Sequence, residues 1–316
     1  MTIATEWYLW VITFIFILIA VCMSLYVESH KIHKIHFKQA CLISISWILL
    51  ALIFNIVLWY YLKIKFNLTI ANQKSLEFFA GYVIEKSLSL DNVFVFALIF
   101  KYFDIPRDYQ RIVLSYGIIS AIVLRLIMIL AGVCLIAKFH WILRVFGALL
   151  IISGGKILIS FNNPNNHTMD LKDNFIINLC TKYLRTTKEI HHEKFFLKQH
   201  GKLFITPLFL AMILIEISDV VFATDSIPVI FAITEDPFII ITSNIFAILG
   251  LRSLYFLLAT GIKKFSFLTP GLAIILIFIG IKMLMALHLS ILTTLSSISI
   301  IIIICILLSI IKAQKN

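Results

Sequence analysis

Long apolar runs decide what this chain can fold into. Nine of them, at about 7–27, 40–62, 76–100, 113–136, 141–160, 204–231, 238–260, 268–288 and 290–311, approach the ~20 residues that a helix needs to cross a bilayer. Inside hydrocarbon no water can satisfy a free amide or carbonyl, so a spanning segment must close its own hydrogen bonds, as an α-helix does. Only Lys282 and His288 interrupt residues 265–311, a length that fits two spans joined by a tight turn. The chain is 61% hydrophobic and 14% charged, with a mean hydropathy of +1.03. Soluble domains lie nearer about half apolar and about a quarter charged. The expected fold is therefore all-α: a polytopic membrane protein with about nine transmembrane helices, and the lipid bilayer is its first partner.

The net charge of +11 does not indicate a nucleic-acid partner, because the basic residues sit between the apolar runs. There they act as topology determinants. Placing the N-terminus outside puts 17 Lys/Arg on the cytoplasmic side and 4 on the other, so the C-terminus is expected in the cytoplasm. The N-terminus lacks a basic leader region, and the first run reads as a retained helix. Five cysteines, Cys22, Cys41, Cys134, Cys180 and Cys305, include no CxxC pair and give no disulfide framework. There is no Walker loop, GxSxG, kinase or Rossmann signature. Neither an enzyme nor a resident cofactor is expected.

Two stretches place carboxylates inside apolar runs with one spacing: Glu85-Lys-Ser-Leu-Ser-Leu-Asp91-Asn92 and Asp219-Val-Val-Phe-Ala-Thr-Asp225-Ser226. An ionisable side chain at the bilayer centre costs about 2.5–3.5 kcal/mol or more, so such residues face a partner, an ion or a water-filled path. At ~100° per residue, positions seven apart share a helix face, which pairs Glu85 with Asn92 and Asp219 with Ser226. Asp91 and Asp225 lie off that face, and a local break, for which Pro228 is the candidate in the second stretch, would let each acid pair converge. Glu85, Asp91, Asn92, Glu216, Asp219, Asp225 and Ser226 form a hard oxygen set suited to Mg²⁺, Ca²⁺ or Mn²⁺. Two other uses of the acids stay open: a structural network with Lys86, Arg125, Lys156, Arg252 and Lys282, and proton carriage. Arg125, Lys156, Arg252 and Lys282 would balance the acids when no cation is bound.

The two stretches are landmarks in a longer repeat. Glu85 to Asp219 and Asp91 to Asp225 are both offsets of 134; Arg125 answers Arg252 at 127, and Gly154-Gly-Lys156 answers Gly280-Ile-Lys282 at 126. Spans 3–5 thus match spans 6–8. Three is odd, so consecutive copies enter the membrane from opposite sides and make an inverted 3+3 repeat, an architecture that secondary transporters use to hold a site at the midplane. The expected organisation is 1–75, two N-terminal helices; 76–160, the first repeat; 161–203, a cytoplasmic linker with helical potential near 174–184; 204–288, the second repeat; and 289–316, a last helix and tail. His30, His33 and His36 read as a basic juxtamembrane segment, with a metal-sensing patch as the sharper alternative. His191 and His192 read as solvated surface. Trp7, Trp10, Trp59, Tyr60 and Tyr61 fit an interfacial aromatic belt.

At three blocks the chain resembles the TerC family of integral membrane proteins: Glu85 to Phe96; Thr206-Pro-Leu-Phe-Leu through Glu216-Ile-Ser-Asp-Val-Val-Phe-Ala-Thr-Asp-Ser-Ile-Pro228; and Ser243 to Phe256. The resemblance covers roughly 5–311, and length and organisation resemble the bacterial Alx branch, which is associated with manganese export, alkaline pH response and a redox-modulator label. It implies an inner-membrane exporter of Mn²⁺, with Glu85, Asp91, Glu216, Asp219 and Asp225 as candidate ligands and H⁺ as candidate coupling ion. Thr224 departs from the pattern, where a small apolar residue is expected. The competing functions are a membrane-bound redox modulator and a partner protein supporting secretion or metallation of exported proteins.

Overall fold

The computed structural model describes residues 6–29, 37–139, 141–162, 187, 194–199, 202–259, 267–285, 287 and 289–315. The histidines at 30, 33, 36, 191 and 192, the stretch 174–184 and Cys180 lie outside the described residues. Among the described residues ten helices follow one another: α1 Trp7–Ser29, α2 Phe37–Lys65, α3 Leu68–Tyr102, α4 Arg107–Lys138, α5 Ile142–Asn162, α6 Pro207–Phe231, α7 Pro237–Leu249, α8 Leu251–Ala259, α9 Leu268–Leu284 and α10 Ile291–Lys315. An antiparallel hairpin, β1 Phe196–Gln199 and β2 Lys202–Ile205, precedes α6.

Among the described residues, six helical stretches are long and apolar enough to cross a membrane: Lys38–Lys65, Arg107–Lys138, Ile142–Ile159, Pro207–Phe231, Pro237–Leu257 and Ile291–Ser309. Trp7–Cys22 and Leu268–Leu284 are shorter apolar helices. The longest helix, α3, carries Lys74, Glu77, Glu85, Lys86 and Asp91, which sets it apart from the apolar six. It starts at Leu68, ahead of the expected 76, because the Asn67 side chain caps it by accepting the Ile70 amide at 2.8 Å.

The bundle is layered by exposure. Nearly all of Pro237–Leu257 is buried, so α7 is the central helix, and its polar residues Thr242, Ser243 and Asn244 are buried with the rest. The outer helices turn large apolar side chains outward, among them Ile12, Ile53, Ile127 and Ile303. Lipid gives no hydrophobic drive for helices to associate, so close packing at small residues must hold them. The α5–α9 crossing shows this: a Cβ on Gly147 would lie 2.9 Å from the Gly280 carbonyl, one on Gly280 would lie 2.7 Å from the Gly147 carbonyl, and one on Gly154 would lie 2.7 Å from the Ala273 carbonyl. At the start of α1 and the end of α2, Lys65 pairs with Glu6 at 2.5 Å and lies over the Tyr8 ring, and Lys63 lies over Trp59.

Two expectations need correction. No break occurs in either acid stretch: α3 runs unbroken from 85 to 92, and α6 runs through Pro228 to Phe231. Pro228 falls near the end of α6, so its missing amide costs one hydrogen bond there and does not split the helix. The helix that breaks is the next one, at Gly250 between α7 and α8, where a Cβ would lie 2.5 Å from Lys86 Nζ and 3.2 Å from Trp47 Cβ. The other correction concerns the linker's end. The expected span at 204 begins with β2, and α6 starts at Pro207; Thr206 ties the two by donating from Oγ1 to the Lys194 carbonyl at 2.8 Å.

Candidate functional site

The first acids of the two stretches meet at one arginine. Glu85 on α3 and Asp219 on α6 are 0% and 3% exposed, and Arg125 of α4, 2% exposed, stands between them. Its Nε and Nη2 donate to the two Asp219 oxygens at 3.0 and 2.9 Å, a bidentate pair. Nη1 donates to Glu85 Oε1 and, at 3.0 Å, to Asn244 Oδ1 of α7. Asn92 Nδ2 donates to Asp219 Oδ1 at 3.0 Å. Glu85 and Asn92, seven residues apart on one face, therefore act on a single unit. With both acids ionised, the unit holds two negative charges against one positive.

Several buried polar atoms around it have no hydrogen-bond partner: Glu85 Oε2, Asn92 Oδ1 and Asn244 Nδ2. Two turns further along α6, Ser226 Oγ is also buried without one. A buried polar atom left without a partner costs about 1–3 kcal/mol, so these atoms are exceptions to the rule that buried polar groups are paired. Glu216 lies one turn before Asp219 and faces α4, where Gly117 gives it room: a Cβ there would lie 3.2 Å from Glu216 Oε1. Glu216, Asp219, Arg252, Gly117, Ile215 and Leu251 help line a cavity of about 20 Å³. That is room for one water or one bare ion.

The seven oxygen residues do not form one shell. Glu85, Asn92 and Asp219 converge through Arg125, and Glu216 adjoins them across the cavity. Asp225 stands apart, accepting from Ser153 Oγ of α5 at 2.9 Å, with Lys156 in electrostatic range. Ser226 is buried on α6 near it. Asp91 lies within α3, and its side chain is outside what is described. Among the described residues, no three His, Cys, Asp or Glu side chains are grouped closely enough to share a metal ion. The four cations divide as well. Arg125 locks the acids, and Arg252 donates to Ser115 Oγ. Lys156 is exposed. Lys282 donates to the Ala232 carbonyl at 3.1 Å and to Thr294 Oγ1 at 3.2 Å. It thus caps the C-terminal end of α6, where the helix dipole favours a cation.

Sequence reasoning missed Asn244, Ser153 and the role of Lys86, which donates to the Ala247 carbonyl at 3.1 Å beside the Gly250 break. It also missed a second buried ionic group, Lys74 with Glu77 at 2.8 Å and with Asp236 at 3.3 Å. The available signals were Asn244 and Ser153, each within an apolar run, and a Lys–Glu pair three apart at the head of another.

Residues 70–316 match the family model described as "Integral membrane protein TerC family". The chain is 49% identical over 252 residues to an Escherichia coli K12 protein named "Putative membrane-bound redox modulator Alx", covering 80% of this chain and 77% of that one. A protein of the same name from Photorhabdus laumondii is 45% identical over 277 residues, 87% of this chain and 85% of its own. An "Uncharacterized membrane protein" of Rickettsia bellii is 42% identical over 273 residues, 86% of each. No solved structure matches. With the match running from the head of α3 through both acid stretches to the C-terminus, this chain belongs to the TerC family of integral membrane proteins.

Proposed function

We propose that this chain is a secondary transporter that exports Mn²⁺, a hard divalent cation, from the cytoplasm across the bacterial inner membrane, with H⁺ as its coupling ion. The observation that carries the reading is the buried, unpartnered oxygens of Glu85 and Asn92, with the Glu216 carboxylate across the cavity, beside two acids that share one guanidinium. Spare hard acceptors and surplus negative charge are what a hard divalent cation binds. Mn²⁺ among such ions rests on the family resemblance. Arg125 acts as a tethered cation that holds Glu85 and Asp219 while cargo is absent and gives up part of its hold when cargo arrives. Asp225, with Ser226 and Lys156 nearby, is a second station along α6, and Asp91 its counterpart on α3. Arg252 and Lys282 belong to the same charge balance.

In this reading nine spans with the N-terminus outside carry an inverted repeat, α3–α5 against α6–α9, with α7 and α8 counted as one span. The α5–α9 crossing supports it. Adding the offset of 126 turns 147 into 273 and 154 into 280, so the contacts 147–280 and 154–273 exchange with each other. A two-fold relation between the halves requires that exchange. The relatives' printed names favour a second reading, a redox modulator. Of the cysteines a thiol version would use, Cys22, Cys41, Cys134 and Cys305 are free and lie on α1, α2, α4 and α10.

Mn²⁺ flux into proteoliposomes tests the proposal, comparing the wild type with Asp91→Asn and Asp225→Asn under an imposed pH gradient. Each change removes a charge at nearly constant shape. The wild type should move Mn²⁺ and both variants should not. A wild type that moves none, or variants that match it, overturns the reading.

A further inference from the structure

The two sides of the arginine cluster are built differently. On the side toward the N-terminus of α6 lies the cavity with Glu216 and Arg252. On the other side the packing closes in three layers. α3 and α7 run side by side in one direction there. Lys74 reaches Asp236 at 3.3 Å, and seven residues further along both segments a Cβ on Gly81 would lie 2.7 Å from Ser243 Oγ. That glycine contact is the first layer. The rings of Phe54, Phe78 and Phe246 form the second, with centroids 4.6–5.9 Å apart.

The third layer is ionic and buried. Lys74 Nζ bonds Glu77 Oε2 at 2.8 Å, which also accepts from Thr234 Oγ1 at 2.6 Å; Gln73 Nε2 donates to Glu77 Oε1 at 2.9 Å. Asp236 accepts the Phe238 amide at 3.1 Å and so caps α7. Lys74, Glu77, Thr234 and Asp236 are 8%, 3%, 5% and 2% exposed. The first two belong to α3 and the last two to the link between α6 and α7, so the network ties one three-helix segment to the other.

We propose that Lys74, Glu77, Thr234 and Asp236 form a gate that closes the end of the bundle opposite the hairpin and that opens and re-forms in each transport cycle. The proposal rests on the transport reading. The chemistry suits a gate better than a permanent seal. A buried ion network gives up hydration to form and regains it when water enters, so its open and closed states lie close in free energy. An apolar seal of the same area would be penalised whenever it opened. Two carboxylates against one ammonium also leave the opening negative, which favours a departing cation over an anion.

A cross-link separates a gate from a static brace. In a cysteine-free background that carries Mn²⁺, Lys74→Cys and Asp236→Cys are combined, oxidised and reconstituted. A gate predicts loss of Mn²⁺ flux in the cross-linked protein and its return on reduction, with equilibrium Mn²⁺ binding in detergent retained. A cross-link proven by mass with undiminished flux overturns the gate and leaves the transport reading standing. A wild type without Mn²⁺ flux removes the transport reading itself. Should the cysteine pair fail to assemble, hydrogen exchange in the wild type decides. Amides of 72–80 and 232–238 should exchange faster during Mn²⁺ cycling than without Mn²⁺, and unchanged exchange refutes the gate.

Discussion

Replacing Arg125 with Met tests the centre of the fold and of the site together. Methionine keeps much of the arginine's length and removes its charge. It deletes four hydrogen bonds, two to Asp219 and one each to Glu85 and Asn244. It also leaves two carboxylates buried at 0% and 3% exposure with no counter-charge among those bonds. Removing one partner of a buried ion pair costs about 3–5 kcal/mol, mostly from the charge left behind. The expected loss of unfolding free energy in detergent is therefore about 3–5 kcal/mol. Two additions locate its cause. Adding Glu85→Gln and Asp219→Asn to Arg125→Met removes the stranded charge, and the triple variant should recover most of the loss. Mn²⁺ should also stabilise the single variant, because vacated acids become ligands; at a hundredfold excess over its Kd the gain is about 2.7 kcal/mol by mass action. Equilibrium unfolding with and without MnCl₂ reads all three. A single variant as stable as the wild type, or a triple variant no better than the single, refutes the view that Arg125 neutralises a strained acid pair.

Apolar length was enough to place the helices, because hydrocarbon leaves the backbone one open conformation. Six of the expected runs coincide with helical stretches long and apolar enough to cross a membrane, two with shorter apolar helices, and the run at 76–100 with the charged helix α3, while the run expected at 204 opens with β2. Face-sharing at seven residues was equally legible: Glu85 and Asn92 join one cluster, Glu85 through its partner Arg125 and Asn92 through Asp219. The identity of that partner was not. Arg125 lies 40 residues from Glu85 and 94 from Asp219 along the chain, and only packing of α3, α4, α6 and α7 decides which cation enters between them. A sequence states that a buried acid needs a counter-charge; it does not choose among Lys86, Arg125, Lys156, Arg252 and Lys282. Lys86 and Lys282 instead went to the carbonyls of Ala247 and Ala232, near helix C-termini. The break was misplaced for a related reason. Proline disturbs its own helix near the end, where little remains to disturb, whereas the next helix breaks at Gly250, a position against which Lys86 and Trp47 pack closely.

Two further predictions separate structure from chemistry. A cysteine-free chain, with all five cysteines changed to Ala or Ser, should keep full Mn²⁺ flux; flux that vanishes and returns with a single restored cysteine would favour the redox reading. The crossing of α5 and α9 should not tolerate side-chain volume. In Gly280→Leu the new Cβ must sit where the Gly147 carbonyl lies 2.7 Å away and Ile151 Cγ1 2.8 Å away, both closer than van der Waals contact allows. One obstacle is backbone, so the helices must part. Overpacking of this kind costs about 1–3 kcal/mol, and here it also separates the two segments at their point of closest approach. Gly155, with nothing within 4 Å of a Cβ, is the control on the partner helix α5. Gly155→Leu should leave unfolding in detergent unchanged while Gly280→Leu lowers stability. Equal effects from the two would mean that α5 and α9 are not held by small-residue contact.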